Sequence, residues 1–233
     1  SFSDLNDPSA TFTGQLGEAY QMKWTISTNC GDKHGNSILV VLGSSGPGLS
    51  VSDVDGNSYQ TVWIGSQLWM AENLKTTKYN DGSDIPYIST NFSGVLPEGY
   101  CWYDLDPTNY KEPFGGMYSF PTVRSNKLCP SGWHVPSMKE WDLLFQTLGG
   151  PEVGDLLQQS DQDSFQAIAG GERSGDGEFY GINEFYNYWG NPEDLNSDGM
   201  IQMYTGSEQI AIRGNEGWKQ HENFMVNVRC VKD

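Results

Sequence analysis

The sequence of 233 residues has no long apolar run, no closely spaced cysteines and few histidines. Its longest apolar run, Ile38–Leu42, has the length of a β-strand, whereas a membrane-spanning helix needs about 20 apolar residues. The four cysteines form no Cys-x-x-Cys pair, and the three histidines are not spaced as metal ligands. We therefore expect neither a membrane-spanning helix nor a zinc site.

Basic residues are also scarce, with 13 Lys and Arg against 30 Asp and Glu, which gives a net charge of −17 at pH 7. A negative protein repels phosphate backbones and anionic lipids on average, so nucleic acid and anionic membranes are poor candidates as partners. The excess of carboxylates either maintains solubility or places some of them near bound cations. Composition leaves both explanations open.

Glycine and aromatic residues are abundant, with 28 Gly, 8 Trp, 12 Tyr and 10 Phe, and the mean hydropathy is −0.54. This composition is typical of a loop-rich, largely β protein with an aromatic core. One hairpin is well defined, because Tyr59–Ile64 alternates in strand fashion and Gly65-Ser66 turns the chain into Gln67–Met70.

One helix is also well specified. Ser137 is an N-cap residue and Glu140, three residues later, completes a capping box. A single helical face carries Trp141, Leu144, Phe145 and Leu148. Gly149 and Gly150 then allow the helix to end. A second short helix is predicted over residues 152–159.

The chain divides near residue 50. Residues 1–50 hold short strand-like segments and end in the glycine-rich stretch 43–48, which we interpret as a linker because no Lys-Ser or Lys-Thr follows it as in a P-loop. We predict a β-rich N-terminal segment or partial domain at residues 1–50 and a second domain at residues 51–233. Since the chain begins at Ser1 and not at a methionine, we expect any signal peptide or lipid anchor to lie upstream.

A series of motifs resembles the Fibrobacter succinogenes major paralogous domain. The motifs are Asp55-Gly56-Asn57-x-Tyr59, Ile64-Gly65-x-Gln67-x-Trp69-Met70-Ala71-Glu72-Asn73-Leu74, Lys78-Tyr79-Asn80-Asp81-Gly82, Tyr100-Cys101-Trp102-Tyr103, Cys129-Pro130-x-Gly132-Trp133-His134-Val135-Pro136 and Val228-Arg229-Cys230-Val231. The resemblance covers roughly residues 50–233, and residues 1–50 lie outside it.

The resemblance implies an α+β protein with a C-type-lectin-like fold. Such a fold has short antiparallel strands, one or two short helices and long loops rich in glycine and aromatic residues. The family occurs in exported and surface proteins of Bacteroidetes and Fibrobacteres. We therefore expect an exported protein, either secreted or held at the outer membrane surface as a lipoprotein.

The resemblance also implies a disulfide between Cys129, beside the capped helix, and Cys230 on the last strand. Closing a loop of about 100 residues is worth about 4–5 kcal/mol in the chain-entropy model. Cys30 and Cys101 would then form the remaining disulfide and tie the N-terminal segment to the lectin-like part. Cys101 also fits the family motif where it has no partner, so that alternative stays open.

One loop matches the first half of a calcium-binding loop, because Asp194, Asn196 and Asp198 alternate and precede Gly199. Thr205 stands where a full EF-hand needs a bidentate Glu, so a Ca²⁺ site here competes with a plain acidic turn. Apart from Ca²⁺ we expect no cofactor.

The same region is the predicted ligand-binding surface. Asn191-Pro192-Glu193 is the reverse of the acid-Pro-amide triplet of sugar-binding lectins, and the chain departs here from the Trp-Ser-Ser-Thr segment of the family that it resembles. The aromatic residues are either a platform on which sugar rings stack or ordinary core: Tyr180, Phe185, Tyr186, Tyr188 and Trp189. The predicted ligand-binding residues are Tyr186, Tyr188, Trp189, Asn191 and Glu193.

Three functions follow, of different classes. The first is a non-enzymatic, exported adhesion or binding domain for a glycan or a surface protein. The second is a structural subunit of a surface appendage, in which residues 1–50 donate or accept strands. The third is a carbohydrate-active hydrolase, for which no pair of carboxylates stands out. His134 lies inside a family motif, and we interpret it as a structural hydrogen-bonding residue and not as a general base.

Overall fold

The computed structural model describes residues 19–28, 31–40, 50–90, 96–150, 152–158, 165–191, 199–207, 210–213 and 223–233; in 19–28, 31–40 and 211–213 it describes the backbone alone. The predicted linker at residues 43–48 lies outside the described residues. The division of the chain near residue 50 stays a prediction.

Strands dominate the described part of the chain. In chain order they are β1 (Ala19–Thr28), β2 (Gly31–Val40), β3 (Ser50–Ser52), β4 (Ser58–Ile64), β5 (Gln67–Met70), β6 (Tyr100–Cys101), β7 (Met117–Ser119), β8 (Trp133–His134), β9 (Gly170–Arg173), β10 (Phe179–Ile182), β11 (Phe185–Gly190), β12 (Gly199–Tyr204), β13 (Ile210–Arg213), β14 (Met225–Val226) and β15 (Val231–Lys232). The predicted hairpin is confirmed, since β4 and β5 pair antiparallel from Ile64 opposite Gln67.

The helices are few and short. They are α1 (Pro107–Tyr110), α2 (Phe120–Arg124), α3 (Met138–Leu148) and α4 (Gly154–Gln158), with a 3-10 turn at Tyr103–Leu105. Short antiparallel strands together with few short helices confirm the predicted α+β class. Among the described residues no helix is long and apolar enough to cross a bilayer.

Helix α3 begins and ends as its sequence predicts. The Ser137 hydroxyl accepts from the Glu140 amide at 3.3 Å, and the Ser137 amide donates to Glu140 Oε2 at 2.7 Å. The buried face consists of Trp141, Leu144 and Phe145. Gly149 ends the helix with a φ of 121°, a conformation that glycine adopts without strain.

The last nine residues join two sheets. Strand β14 lies in the middle of the five-stranded sheet β10-β9-β14-β7-β6, and β15 lies between β5 and β8 in the five-stranded sheet β3-β4-β5-β15-β8. Strands β11, β12 and β13 form a third sheet, and β1 pairs with β2 in a fourth. Residues far apart in sequence therefore depend on the C-terminal strands for their pairing.

The core is aromatic, as the composition predicts. One cluster is centred on Trp69 and Trp141, whose ring centroids lie 4.8 Å apart, and Phe165 and Tyr188 complete it. A second cluster contains Tyr118 and the two cysteines of the C-terminal disulfide.

The acidic turn that precedes β4 is closed by its own side chains. Asp53 accepts from the Asn57 amide at 2.9 Å and from the Tyr59 hydroxyl at 2.6 Å. Asp55 accepts from the amide and the hydroxyl of Thr77, and these hydrogen bonds lower its pKa against the effect of burial, which raises it. Asp55 of the family motif and Asp53 just before it thus fasten the turn to its neighbours.

Candidate functional site

The predicted ligand-binding aromatics of β11 are buried, so this part of the prediction is wrong. Tyr186 is 9% exposed, and Tyr188 and Trp189 are fully buried. Tyr186 and Tyr188 pack in the cluster around Trp141, while the Trp189 indole donates to the carbonyl of Tyr118 at 2.7 Å. A strand covered on both faces cannot offer these rings to a sugar.

Asn191, also predicted to bind ligand, is half-buried and fastened to its neighbours. Its amide donates to the carbonyl of Pro136 at 2.7 Å, and its Nδ2 donates to Oδ1 of Asn126 at 3.1 Å. Glu193 lies outside the described residues. So do the predicted calcium ligands Asp194, Asn196 and Asp198, and that site stays a prediction.

Two of the five platform residues, Tyr180 and Phe185, are at least partly exposed, and another exposed aromatic residue, Tyr204, contacts Phe185. Tyr180 is 44% exposed, Tyr204 is 40% exposed, and Phe185 is half-buried. Phe185 and Tyr204 are direct partners in the β11–β12 ladder, and their rings meet edge to face with centroids 5.3 Å apart. We call Tyr180, Phe185 and Tyr204 the aromatic tip.

Two turns hold the aromatic tip in place. Thr205, directly after β12, donates its amide to the carbonyl of Glu184 at 2.9 Å and its hydroxyl to the carbonyl of Asn183 at 2.8 Å. Gly181 has a φ of 70°, and a Cβ at that position would overlap the Phe185 ring, which therefore packs directly on the glycine backbone. These contacts restrict Phe185 and the end of β12 that carries Tyr204.

Polar groups fix the two tyrosine hydroxyls. The Tyr180 hydroxyl donates to Oδ2 of Asp176 at 3.0 Å, and this hydrogen bond raises the pKa of Tyr180. The Tyr204 hydroxyl donates to Oε1 of Gln202 at 2.8 Å. The backbone amide of Glu178 donates to Asp176 and lowers the pKa of that carboxyl, which is therefore ionised at neutral pH.

Glu172 and Asn187 form a hydrogen-bonded pair beside Tyr180. Glu172 is the ladder partner of Tyr180, and it accepts from Nδ2 of the buried Asn187 at 2.9 Å. Within the described part of the chain, Oδ1 of Asn187 has no hydrogen-bond partner. The exposed ring of Tyr180 is thus followed by the half-buried carboxylate of Glu172 and the buried amide of Asn187.

The second notable cluster fastens the C-terminus, and we call it the C-terminal clasp: the Cys129–Cys230 disulfide, His134, Glu140 and Asp233. The disulfide that the family resemblance implied is present, and it spans 101 residues. His134 Nδ1 lies 2.7 Å from Oδ1 of Asp233, and its Nε2 lies 2.9 Å from Oε1 of Glu140.

These two carboxylates determine the charge of His134. The hydrogen bond to Glu140 is the largest cause that raises the pKa of His134, to about 9, with a further contribution from Asp233. The imidazole is therefore protonated at neutral pH and donates from both ring nitrogens, so it has no lone pair with which to act as a base. Its position agrees with the structural role expected from the motif.

The second predicted disulfide, between Cys30 and Cys101, is not formed. Cys101 is a free thiol, fully buried on β6, with its Sγ 3.6 Å from the sulfur of Met225, so this prediction is wrong. Burial raises the pKa of the thiol to about 12, which keeps it protonated and unreactive. Cys30 lies outside the described residues.

Two buried arginines were not foreseen from the sequence. Arg229, fully buried, donates Nε to Oδ1 of Asn73 at 3.0 Å and its two terminal nitrogens to the carbonyls of Phe165 and Gln166. Its guanidinium lies 4.3 Å from the centre of the Phe165 ring. Arg173 is likewise buried and donates to the carbonyls of Gly177, Ile88 and Thr90. The position of Arg229 inside the Val228-Arg229-Cys230-Val231 motif was the sequence signal that could have identified it.

Among the described residues no group of three or more His, Cys, Asp or Glu side chains is arranged to hold a metal ion.

A family model described as the Fibrobacter succinogenes major domain matches residues 62–232, which is more than half of the chain. A search of curated proteins found no match. A search of solved structures found none either.

Proposed function

The chain belongs to the Fibrobacter succinogenes major domain family, and from this premise we propose that it is an exported, non-catalytic binding or adhesion domain for a glycan or protein ligand at a cell surface. The observation that carries the proposal is the aromatic tip. Large rings exposed on a folded surface mark binding sites when they cluster, whereas scattered ones need no explanation.

The rigidity of the tip supports binding. The Thr205 hydrogen bonds and the contact of Phe185 with Gly181 restrict the rings in the free protein. Binding to rings that are already fixed costs less conformational entropy than binding that must first order a loop of the protein. Aromatic faces also suit the C–H faces of sugar rings, which favours a glycan among the two ligand classes.

Export is supported by the disulfide, because disulfides persist in oxidising compartments and are rare in the cytosol. Attachment as a lipoprotein at the outer membrane surface belongs to the same proposal. A Ca²⁺ ion bound by the loop at Asp194, Asn196 and Asp198 would be a separate contribution to ligand binding.

A glycan array tests the proposal, with the full chain applied with and without EDTA. We expect glycan binding that falls by at least about tenfold in Tyr180→Ala and in Tyr204→Ala, since hot-spot aromatics contribute about 2 kcal/mol or more. The matched control is Tyr87→Ala, which removes a tyrosine that is 41% exposed beside β6, at the opposite edge of the sheet from β10.

The outcomes separate the alternatives. Binding lost in Tyr87→Ala as well would point to general unfolding of the surface, and absence of all glycan binding would overturn the glycan role. Loss of binding on EDTA treatment would support the calcium loop. Turnover of a glycoside, abolished by mutating one carboxylate, would contradict the non-catalytic role.

The appendage subunit is the second candidate, favoured by the β1–β2 hairpin. Its ten-residue strands pair with each other along their whole length and form a sheet of their own among the described residues. Unpaired strand edges are templates for pairing with another chain. A chain that remains a monomer at high concentration, with and without residues 1–50, would exclude this role.

A further inference from the structure

Among the described sheets, only the β1–β2 hairpin has long unpaired edges. Its two strands pair with each other over ten residues, and no other described strand joins them. The edge strands of the other sheets span two to six residues: β3, β6, β8, β10, β11 and β13. A two-stranded hairpin is marginally stable by itself in water, and a long free edge is a template for a further strand. The hairpin is therefore the part of the described chain most suited to strand pairing with a partner.

The large apolar residues of the hairpin lie mostly along one strand and on one face. Four of them alternate along β1, which places them on the same face: Tyr20, Met22, Trp24 and Ile26. The β2 residues that stand opposite these four are Leu39, Ser37, Gly35 and Lys33. Since β2 contributes one apolar residue to that face, the apolar stripe follows β1.

Strand β1 is also the better of the two edges. Strand β2 lies beside α3, with Cα atoms of the two elements within 8 Å of each other. It contains Gly31 and Gly35, and glycine weakens a strand. Strand β1 contains neither glycine nor proline, and its single charged residue is Lys23. The outer edge of β1 is therefore the one that a further strand would join.

We propose that β1 pairs antiparallel with β1 of a second copy of this chain, with Trp24 opposite Trp24 of the partner subunit on a two-fold axis. The two hairpins then form one four-stranded sheet in the order β2-β1-β1-β2. Two-fold dimers of this kind are the commonest homo-oligomers. The proposal is independent of the proposed function, because it uses neither the aromatic tip nor the C-terminal clasp.

The sequence of β1 is complementary to itself in this register. Met22 stands opposite Ile26 of the partner subunit, and Tyr20 stands opposite the partner's Thr28. Because residues directly opposite each other share a face, the apolar stripe becomes two strands wide. A pairing shifted by one residue would place apolar residues opposite polar ones and mix the two faces.

The charge on β1 favours the same register. Lys23 stands opposite the partner's Thr25, so no like charges face each other. A pairing centred on Lys23 would keep the faces matched but would set two lysines opposite each other, which destabilises a ladder. The register centred on Trp24 avoids that repulsion.

Sedimentation velocity of the full chain over a wide range of concentrations tests the dimer. We expect a dimer whose dissociation constant rises at least about tenfold in Trp24→Lys, because an aromatic anchor is lost and two like charges face each other. Gln21→Lys is the matched control. It adds the same charge on the other face of β1, where it stands opposite the partner's Ser27, and it should leave the dimer nearly unchanged.

A cross-link on the axis tests the register itself. Residues directly opposite each other in an antiparallel pair have Cα atoms about 4.5–5.5 Å apart, within the range that a disulfide spans. In a Cys30→Ser background, which removes the cysteine that follows β1, Trp24→Cys should form a disulfide-linked dimer on mild oxidation. Thr25→Cys stands opposite the partner's Lys23 and should cross-link far less.

A dimer that Trp24→Lys weakens and Gln21→Lys does not, with cross-linking at position 24, would support the pairing of β1. A monomer at every concentration, equal effects of the two lysine variants, or equal cross-linking at positions 24 and 25 would overturn it. Growth beyond two copies would also contradict the closed dimer and would favour the appendage subunit. Absence of glycan binding bears on the proposed function alone, so the two failures are distinguishable.

Discussion

The C-terminal clasp and the aromatic tip differ in what their side chains contact. The clasp connects its own side chains to one another, since the disulfide links Cys129 to Cys230 and His134 lies between Glu140 and Asp233. The tip leaves Tyr180 and Tyr204 more than a third exposed and uses backbone turns to hold them.

The difference separates stability from the proposed ligand binding. Both cysteines and His134 of the clasp lie in the motifs that identify the family, whereas the tip residues lie outside those motifs. The motifs therefore include residues that hold the chain together and none of the rings proposed to bind a ligand. Mutations in the two regions should have opposite consequences for stability and for binding.

The largest expected effect is on the disulfide. Cys129→Ser should lower the free energy of unfolding by about 4–5 kcal/mol, because the unfolded chain is no longer restricted by a loop of 101 residues. Thermal melting with and without reductant measures it, and Cys101→Ala is the control. The wild type and the control should lose stability on reduction while Cys129→Ser does not. Unchanged melting of Cys129→Ser would contradict the role of the clasp.

Arg229 gives the next largest effect, although it is no part of the clasp. Arg229→Lys should cost about 2–4 kcal/mol, because an ammonium cannot reach Asn73 and the two buried carbonyls together, and unsatisfied buried acceptors are costly. Urea unfolding measures the change, and Arg124→Lys, an exposed arginine, should be nearly neutral. Equal stability of the two variants would mean that water replaces the lost hydrogen bonds.

The ion pairs of the clasp should give a smaller, pH-dependent effect. The pKa of His134 is raised from an ordinary value of 6.5 to about 9, so its contribution is complete below 6.5 and is lost as the pH rises through 9. Because the site is partly open to solvent, we expect about 0.5–1 kcal/mol. Unfolding of the wild type and of His134→Gln should converge at alkaline pH, and a constant difference would contradict the ion pairs.

The smallest effect on stability belongs to the tip. Tyr204→Ala should change the free energy of unfolding by about 0.5–1 kcal/mol, since the ring is 40% exposed and loses its contact with Phe185 and its hydrogen bond to Gln202. Its effect on ligand binding should be the larger of the two. If Tyr204→Ala unfolds readily, Tyr204 is a structural residue, as the clasp residues are.

Local features were predictable from the sequence. The capping box of α3 and the Gly65-Ser66 hairpin depend on residues within a few positions of each other, and both formed as expected. The alternation in β11 was visible as well, yet it could not tell which aromatics would be covered, because the residues that cover them belong to other elements: Phe165 and Trp141 contact Tyr188, and Phe120 contacts Trp189. The predicted platform failed for that reason at Tyr188 and Trp189.

The sequence by itself determined the capped helix, the β4–β5 hairpin and the family motifs, because each rests on local spacing, and the resemblance that the motifs carry implied the α+β class. Only the tertiary structure decided that Cys101 is a buried thiol, that His134 lies between two carboxylates, and that the exposed Tyr204 contacts Phe185. The physical reason is that burial, charge and exposure depend on the pairing of distant strands, above all on β14 and β15 at the end of the chain.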